Sequence, residues 1–181
     1  ACLILLAVGA LIGAWILSGT VPYLILLAAK ILAPDWYYAA ACLICALISL
    51  SIGSSWTTAG TVGIALIGAA EALGLSPVIT AGAIISGAYF GDKMSPLSET
   101  TNLAAAVAET DLFAHIRTML WTALPSLALT LLLFSWLSAA PEIAGDDIFA
   151  QLERALDEEY VLGPLSLLPL GLLLVLSALR Y

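Results

Sequence analysis

Residues 78–108 read VITAGAIISGAYF, then GDKMSPLSETTN, then LAAAVA, so a polar stretch from Gly91 to Asn102 lies between two apolar arms. The first arm, Val78–Phe90, would measure roughly 20 Å as a helix, whereas the hydrocarbon core of a bilayer is about 30 Å thick. This arm is too short to cross a membrane alone and too apolar to be a loop. The pattern predicts two half-helices joined by a non-helical break. The alternative is an ordinary solvent-exposed loop between two spans.

The composition of the 181-residue chain indicates a membrane protein. Hydrophobic residues make up 62% of it and charged residues 10%, and its mean hydropathy is +1.10, whereas soluble domains carry about 25% charged residues. In lipid, backbone polar groups must be bonded within the protein, which leaves helices or closed barrels. Apolar runs such as Leu127–Leu137 do not alternate as barrel strands do. We therefore predict an all-α integral membrane protein, a multi-helix bundle with interrupted (broken or re-entrant) transmembrane helices.

The chain is expected to be a single transmembrane transporter domain over residues 1–181, truncated at both ends because it begins and stops inside apolar runs. Residues 140–162 are predicted to form an acidic extramembrane loop, since seven of the 13 acids lie between Glu142 and Glu159. This acidic loop argues against nucleic acid as a partner. Gly9 and Gly13, and again Gly87 and Gly91, lie four residues apart and predict helix faces that pack closely against a neighbour.

Three charged residues in the polar stretch are the strongest functional signal. A charge at the centre of a membrane helix costs roughly 2.5–3.5 kcal/mol, so charges this close together require a protein-lined or hydrated cavity. The oxygen-rich side chains, unwound carbonyls and helix ends suit a hard monovalent cation. The predicted ion or substrate residues are Asp92, Lys93, Ser95, Ser98, Glu99, Thr100, Thr101 and Asn102, with Asp92, Glu99, Thr101 and Asn102 as the Na⁺ ligand candidates.

A carboxylate in such a cavity provides a mechanism of exchange. Asp92 or Glu99 would hold either Na⁺ or a proton, but not both at once. Lys93 would pair with one of these acids when the site is empty. The sequence offers no histidine cluster and no thiolate cluster for a transition metal.

A second polar break, Gly53–Thr61, carries hydroxyl groups but no charge. Its Ser55-Trp56-Thr57-Thr58 repeats the Ser-x-Thr-Thr pattern of Ser98-Glu99-Thr100-Thr101. Chance is one explanation of this short repeat. The other is that the two breaks face each other across one site. The residues of this predicted second wall are Ser54, Ser55, Thr57, Thr58 and Thr61.

Two longer strings carry a family resemblance. Gly53-Ser-Ser-Trp-Thr-Thr-Ala-Gly-Thr-Val-Gly63 and Ala81-Gly-Ala-Ile-Ile-Ser-Gly-Ala-Tyr-Phe-Gly-Asp-Lys-Met-Ser-Pro-Leu-Ser-Glu-Thr-Thr-Asn102 closely resemble the NhaC family of Na⁺/H⁺ antiporters, within the ion transporter superfamily. Ser18-Gly-Thr-Val-Pro22 and Asp111-Leu-Phe-Ala-His-Ile-Arg117 support this likeness. The resemblance runs from about Gly9 to Pro125.

The resemblance implies a multi-pass secondary active transporter of a bacterial or archaeal inner membrane that exchanges Na⁺ for H⁺. It implies that this chain forms one half of an inverted-repeat fold. It implies no enzyme activity and no cofactor besides the transported ions. The family commonly has Asp where Glu99 stands, so the carboxylate here lies on a longer side chain. The ion-site residues that it implies are Asp92, Ser98, Glu99, Thr100, Thr101 and Asn102.

Other functions remain as alternatives. Members of the same family exchange malate and lactate with Na⁺ and H⁺, so organic-anion exchange, or amino-acid transport in the same fold, is the nearest of them. An intramembrane hydrolase would need a nucleophile–base pair or a metal site, and His115, the single histidine, has no partner at a usable spacing. The expected partners are the lipid bilayer, Na⁺ and protons, with a small organic anion and a second copy in a homodimer as further candidates.

Overall fold

The computed structural model describes residues 13–31, 34–138 and 163–169, together with residues 10, 171, 172 and 175. Within these residues the secondary structure is entirely helical, and the predicted acidic loop at 140–162 lies outside them. A π-helical turn, Ala59–Gly63, joins the third and fourth helices, and short 3-10 helices lie at Pro34–Trp36 and Pro164–Leu167. The α-helices are α1 (Thr20–Ile31), α2 (Tyr37–Ile52), α3 (Ser55–Thr58), α4 (Ile64–Ala72), α5 (Pro77–Met94), α6 (Glu99–Val107) and α7 (Leu112–Ser138).

Glycines with positive φ mark three places where a helix ends. Gly19 has φ of 75°, Gly53 of 73° and Gly74 of 70°. An L-residue with a side chain is disfavoured in this left-handed region, so glycine is the residue that ends a helix there at least cost. The first of these glycines forms a turn with Ser18 directly before α1.

The most extensive helix–helix contact in the described part of the chain is between α2 and α5. Gly87 and Gly91 face α2 so closely that a Cβ on either would run into the backbone carbonyl of Cys42 or Ala46. Ser49 Oγ bridges the same pair by donating to the Ala88 carbonyl oxygen at 2.6 Å. Small residues allow such an approach in lipid, where no hydrophobic drive holds helices together. The close packing predicted from the spacing of Gly87 and Gly91 is therefore confirmed. A Cβ on Gly13 would meet no described residue within 4 Å, and Gly9 lies outside the described residues.

Two helices are long and apolar enough to cross a membrane among the residues that the structure describes. They are Pro34–Ile52 and Leu112–Ser138. Their ends meet where the backbone N–H of Tyr38 donates to Ser138 Oγ at 3.2 Å, a bond that satisfies one of the free donors at the start of α2. The all-helical architecture and these two spans agree with the predicted membrane class.

Helix α5 is longer than the sequence predicted. It continues past Phe90 to Met94, so Asp92 and Lys93 lie in its last turn and not in a non-helical break. The stretch without helical structure shrinks to Ser95–Ser98. Pro96 explains this end point, because proline lacks a backbone donor and disfavours helical geometry in the residue before it.

Candidate functional site

The connection between α5 and α6 is held by side chains of the first turn of α6. Ser98 Oγ accepts from the backbone N–H of Thr101 at 3.4 Å and caps α6. Thr101 Oγ1 lies 3.3 Å from the Asp92 carbonyl oxygen and 3.1 Å from that of Lys93, to which it donates. These carbonyls end α5 and have no partner within it. The α6 hydroxyl therefore completes the hydrogen bonding of the α5 terminus.

Asn102 closes the same connection from the next residue. Its side-chain nitrogen donates to the Pro96 carbonyl oxygen at 2.7 Å and to that of Ser98 at 2.8 Å. Ser95 is fully buried, and its hydroxyl accepts from the backbone N–H of Leu97 at 3.2 Å. The four-residue break is consequently a bonded and compact turn.

The second break packs directly on the first. Only Gly53 and Ser54 lie outside helical structure there, because Ser54 Oγ accepts from the backbone N–H of Thr57 at 3.2 Å and starts α3. A Cβ built on Gly53 would lie 2.6 Å from the carbonyl carbon of Leu97 and 2.8 Å from the nitrogen of Ser98. This contact is between backbones, so the two interruptions of the chain cross at one point.

Ser55 and Asp92 join the two breaks by a side-chain hydrogen bond. Ser55 Oγ, on a residue that is 5% exposed, donates to Asp92 Oδ2 at 2.8 Å. Asp92 lies in the last turn of α5, where the helix dipole carries a partial negative charge that disfavours an acid and favours a cation. The carboxylate and the helix end thus create a locally negative position beside a neutral donor.

A cavity of about 800 Å³ opens beside this carboxylate. Pockets for small organic molecules have volumes of roughly 300–1,000 Å³, so the space is much larger than one dehydrated cation needs. Within the described residues, no group of three or more His, Cys, Asp or Glu side chains is placed to hold a metal ion. The lining residues are Ser55, Trp56, Ser86, Tyr89, Phe90, Asp92, Lys93, Thr100, Met119, Thr122, Ala123, Ser126, Leu127 and Thr130.

The structure brings only part of the predicted site set to this cavity, namely Ser55, Asp92, Lys93 and Thr100. Glu99 is exposed at the first position of α6 and does not line it. The other predicted residues of the two breaks make hydrogen bonds within their own break. Those of the second break bond to one another and to nearby carbonyl oxygens. Thr57 Oγ1 bonds Ser54 Oγ at 3.0 Å, Thr58 Oγ1 donates to the Ser54 carbonyl oxygen at 3.0 Å, and Thr61 Oγ1 to that of Thr57 at 2.6 Å.

Sequence reasoning missed the contribution of α7 and of the middle of α5. Thr122, Ser126 and Thr130 of α7 line the cavity, as does Ser86 of α5. A signal was present, because hydroxyl residues four apart lie on one face of a helix.

The sequence of the chain is similar to those of a known protein family. A profile described as the Na⁺/H⁺ antiporter family matches residues 87–181, just over half of the chain. The Na⁺/H⁺ antiporter NhaC of Alkalihalophilus pseudofirmus is 43% identical over 98% of this chain and 38% of its own length. No solved protein structure is significantly similar to the chain.

Relatives with other named substrates match the same segment. The malate-2H⁺/Na⁺-lactate antiporter of Bacillus subtilis is 47% identical over 75% of this chain and 29% of its own length. The arginine/ornithine antiporter ArcD of Halobacterium salinarum is 40% identical over 94% of the chain and 36% of its own length. The chain thus spans less than two fifths of each of these relatives. The family profile and the level of identity together establish that the chain belongs to the Na⁺/H⁺ antiporter family.

Proposed function

We propose that the full-length protein exchanges Na⁺ for H⁺ across a bacterial or archaeal inner membrane, as a multi-pass secondary transporter. Asp92 is the carboxylate for which the cation and the proton compete. The observation that carries this proposal is the 2.8 Å hydrogen bond from Ser55 Oγ to Asp92 Oδ2, beside the crossing of the two breaks. The relative from Alkalihalophilus pseudofirmus that carries the name Na⁺/H⁺ antiporter supports the choice of ions.

The position of Asp92 suits one small cation. Its carboxylate, the hydroxyl oxygens of Ser55 and Thr100, and water in the cavity are hard oxygen donors of the kind that Na⁺ prefers. Lys93 lines the same cavity and supplies a positive charge near Asp92 when no cation is bound. Neither Glu99 nor Asn102 lines the cavity, so we centre the ion on Asp92.

The proposal includes interrupted membrane helices. The pair α5 and α6, separated by Ser95–Ser98, forms one interrupted element, and α2 and α3, separated at Gly53 and Ser54, form the second. Each places a helix end at the crossing, and such helix ends are what transporters with discontinuous helices use to bind ions at the membrane midplane. In this scheme the chain is one half of an inverted repeat, and the rest of the binding site comes from the other half.

A second candidate function is Na⁺/H⁺-coupled exchange of an organic anion or an amino acid. Two observations favour it, the cavity of about 800 Å³ and the substrates for which the relatives from Bacillus subtilis and Halobacterium salinarum are named. The aromatic residues Trp56, Tyr89 and Phe90 line the cavity with Lys93, a set that would accept a small carboxylate.

An assay in proteoliposomes that contain the full-length protein and a pH-sensitive dye distinguishes the two functions. We expect NaCl alone to dissipate an imposed pH gradient, because one carboxylate exchanges Na⁺ for a proton without any further substrate. Empty liposomes and an equal concentration of choline chloride are the controls. If the gradient persists until malate, lactate or an amino acid is added, the second function replaces the first.

Replacing Ser55 by Ala is expected to raise the apparent KM for Na⁺ about tenfold or more. The substitution removes the donor that orients the Asp92 carboxylate, and a hydrogen bond to a charged group contributes about 1.5–3 kcal/mol, which corresponds to tenfold or more in affinity. Initial exchange rates over a range of Na⁺ concentrations measure the change. Ser51→Ala is the matched control, because Ser51 is exposed and donates only to the Leu47 carbonyl of its own helix. Equal KM values for Na⁺ in both variants would show that Ser55 does not contribute to the cation site.

A further inference from the structure

The side of α7 that borders the cavity carries a row of hydroxyl groups, at Thr122, Ser126 and Thr130. The spacing of four residues places them one above another on one face of the helix. Ser86 adds a hydroxyl group from α5 to the lining of the same cavity. The hydrogen bonds that hold the two chain breaks involve none of these four side chains, so the row has no role in shaping the break crossing.

The row leads towards Asp92 because α5 and α7 run in opposite directions along the cavity. Gly82, near the start of α5, lies opposite Phe134 of α7, whose Cζ is 3.9 Å from a Cβ built on Gly82. At the other end of α5, Lys93 shares the cavity with Thr122. The eight residues from Thr130 to Thr122 therefore span roughly 12 Å of the cavity wall and finish at the level of the carboxylate.

Three of the four hydroxyl protons of this wall, those of Ser86, Thr122 and Thr130, are already used inside the helices. Ser86 Oγ donates to the Gly82 carbonyl oxygen at 2.7 Å, Thr122 Oγ1 to that of Met119 at 3.0 Å, and Thr130 Oγ1 to that of Ser126 at 2.8 Å. The lone pairs of each oxygen remain available to a ligand, whereas its single proton is not. Lone pairs accept hydrogen bonds from water and coordinate cations, and they offer an anion no donor. The chemistry of this wall therefore selects water and cations.

We propose that the hydroxyl row of Thr122, Ser126 and Thr130, with Ser86 opposite, is the hydrated path along which the cation reaches Asp92. This assignment rests on the proposed Na⁺/H⁺ exchange and adds to it the route of access. The other sides of α7 offer no such wall, because they present exposed apolar residues such as Leu124 and Leu132. Passage along the helix is consequently confined to one face.

Cysteine accessibility tests the path in the full-length protein. Single cysteines replace Thr122, Ser126, Thr130 or Leu132 in an active background without other cysteines, and each variant is checked for folding by size-exclusion chromatography. The probe is a methanethiosulfonate reagent with a quaternary ammonium group, which is water-soluble and reacts with hydrated thiolates. We expect the three row variants to react at least about tenfold faster than the matched control Leu132→Cys, and Na⁺ to slow the reaction of Thr122→Cys relative to choline.

The outcomes separate the path from the exchange activity. Equal reaction rates for the row and for Leu132→Cys would overturn the path, even in a protein that exchanges Na⁺ normally. Rapid reaction that Na⁺ does not slow, in a protein that still exchanges Na⁺, would also overturn it, because the ion would then take another route. A protein without Na⁺/H⁺ exchange is identified independently in the proteoliposome assay. As a final check, labelled Ser126→Cys is expected to lose exchange while labelled Leu132→Cys retains it.

Discussion

Asp92→Asn is expected to abolish Na⁺-driven proton exchange by the full-length protein, with a loss of at least about 100-fold in initial rate. Asparagine keeps the shape of the side chain and an oxygen that can accept a hydrogen bond from Ser55. It carries no charge, however, and its amide does not take up the proton that exchange requires. The cation then loses the one negative charge that would pair with it, and a loss of about 2.8 kcal/mol in binding already corresponds to a hundredfold in affinity. The measurement is the rate at which Na⁺ dissipates an imposed pH gradient in proteoliposomes.

Two further carboxylate variants make this result specific. Glu71→Gln removes an exposed charge from α4, away from the cavity, and is expected to exchange Na⁺ at the normal rate. Glu99→Gln is expected to have a smaller effect than Asp92→Asn, because Glu99 is exposed at the start of α6 and does not line the cavity. Normal exchange by Asp92→Asn, together with inactivity of Glu99→Gln, would show that the cation binds at the first turn of α6 and not at the end of α5.

The class of the protein and the positions of its two non-helical breaks could be predicted from composition and from single residues. Composition alone indicated a helical membrane protein, since few charged residues are present to cover a surface in water. Pro96 and Gly53 also act locally, one by removing a donor and the other by adopting positive φ. The predicted breaks were nevertheless too long, because serine side chains begin the next helix. Ser54 caps α3 and Ser98 caps α6, so helical structure resumes within the predicted polar stretches.

The arrangement of the site depends on contacts that no local pattern encodes. Ser55 reaches Asp92 across 37 positions of sequence, and the repeated Ser-x-Thr-Thr pattern does not predict this bond. Its counterpart Ser98 caps a helix instead, although both serines begin the same four-residue pattern. The hydroxyl spacing of α7 marks one face of a helix, but a helix face gains its role only from the helix that packs beside it. Only the packing of α5 and α7 turns this face towards a cavity.

Gly91→Ala is expected to destabilise the full-length protein by about 1–2 kcal/mol, and Gly87→Ala by a similar amount. The added methyl group at position 91 would lie 2.6 Å from the backbone nitrogen of Leu50 and would also overlap the Ala46 carbonyl oxygen. Backbone atoms cannot move to another rotamer, so α2 and α5 must separate. Overpacking of this kind costs about 1–3 kcal/mol and occasionally more, which outweighs the gain of up to about 1 kcal/mol in helix propensity.

Gly82→Ala on the same helix is the matched control for this packing effect. It brings the same gain in helix propensity, and its nearest neighbour would be Phe134 Cζ at an ordinary distance of 3.9 Å. Thermal unfolding in detergent should therefore leave Gly82→Ala at or above the wild-type midpoint and lower Gly91→Ala by several degrees. Because Asp92 follows Gly91 directly, separation of α2 from α5 also draws the carboxylate away from Ser55. Exchange should then fall in Gly91→Ala even below its unfolding temperature, and equal stability of the two variants would show that α2 and α5 are not packed this closely.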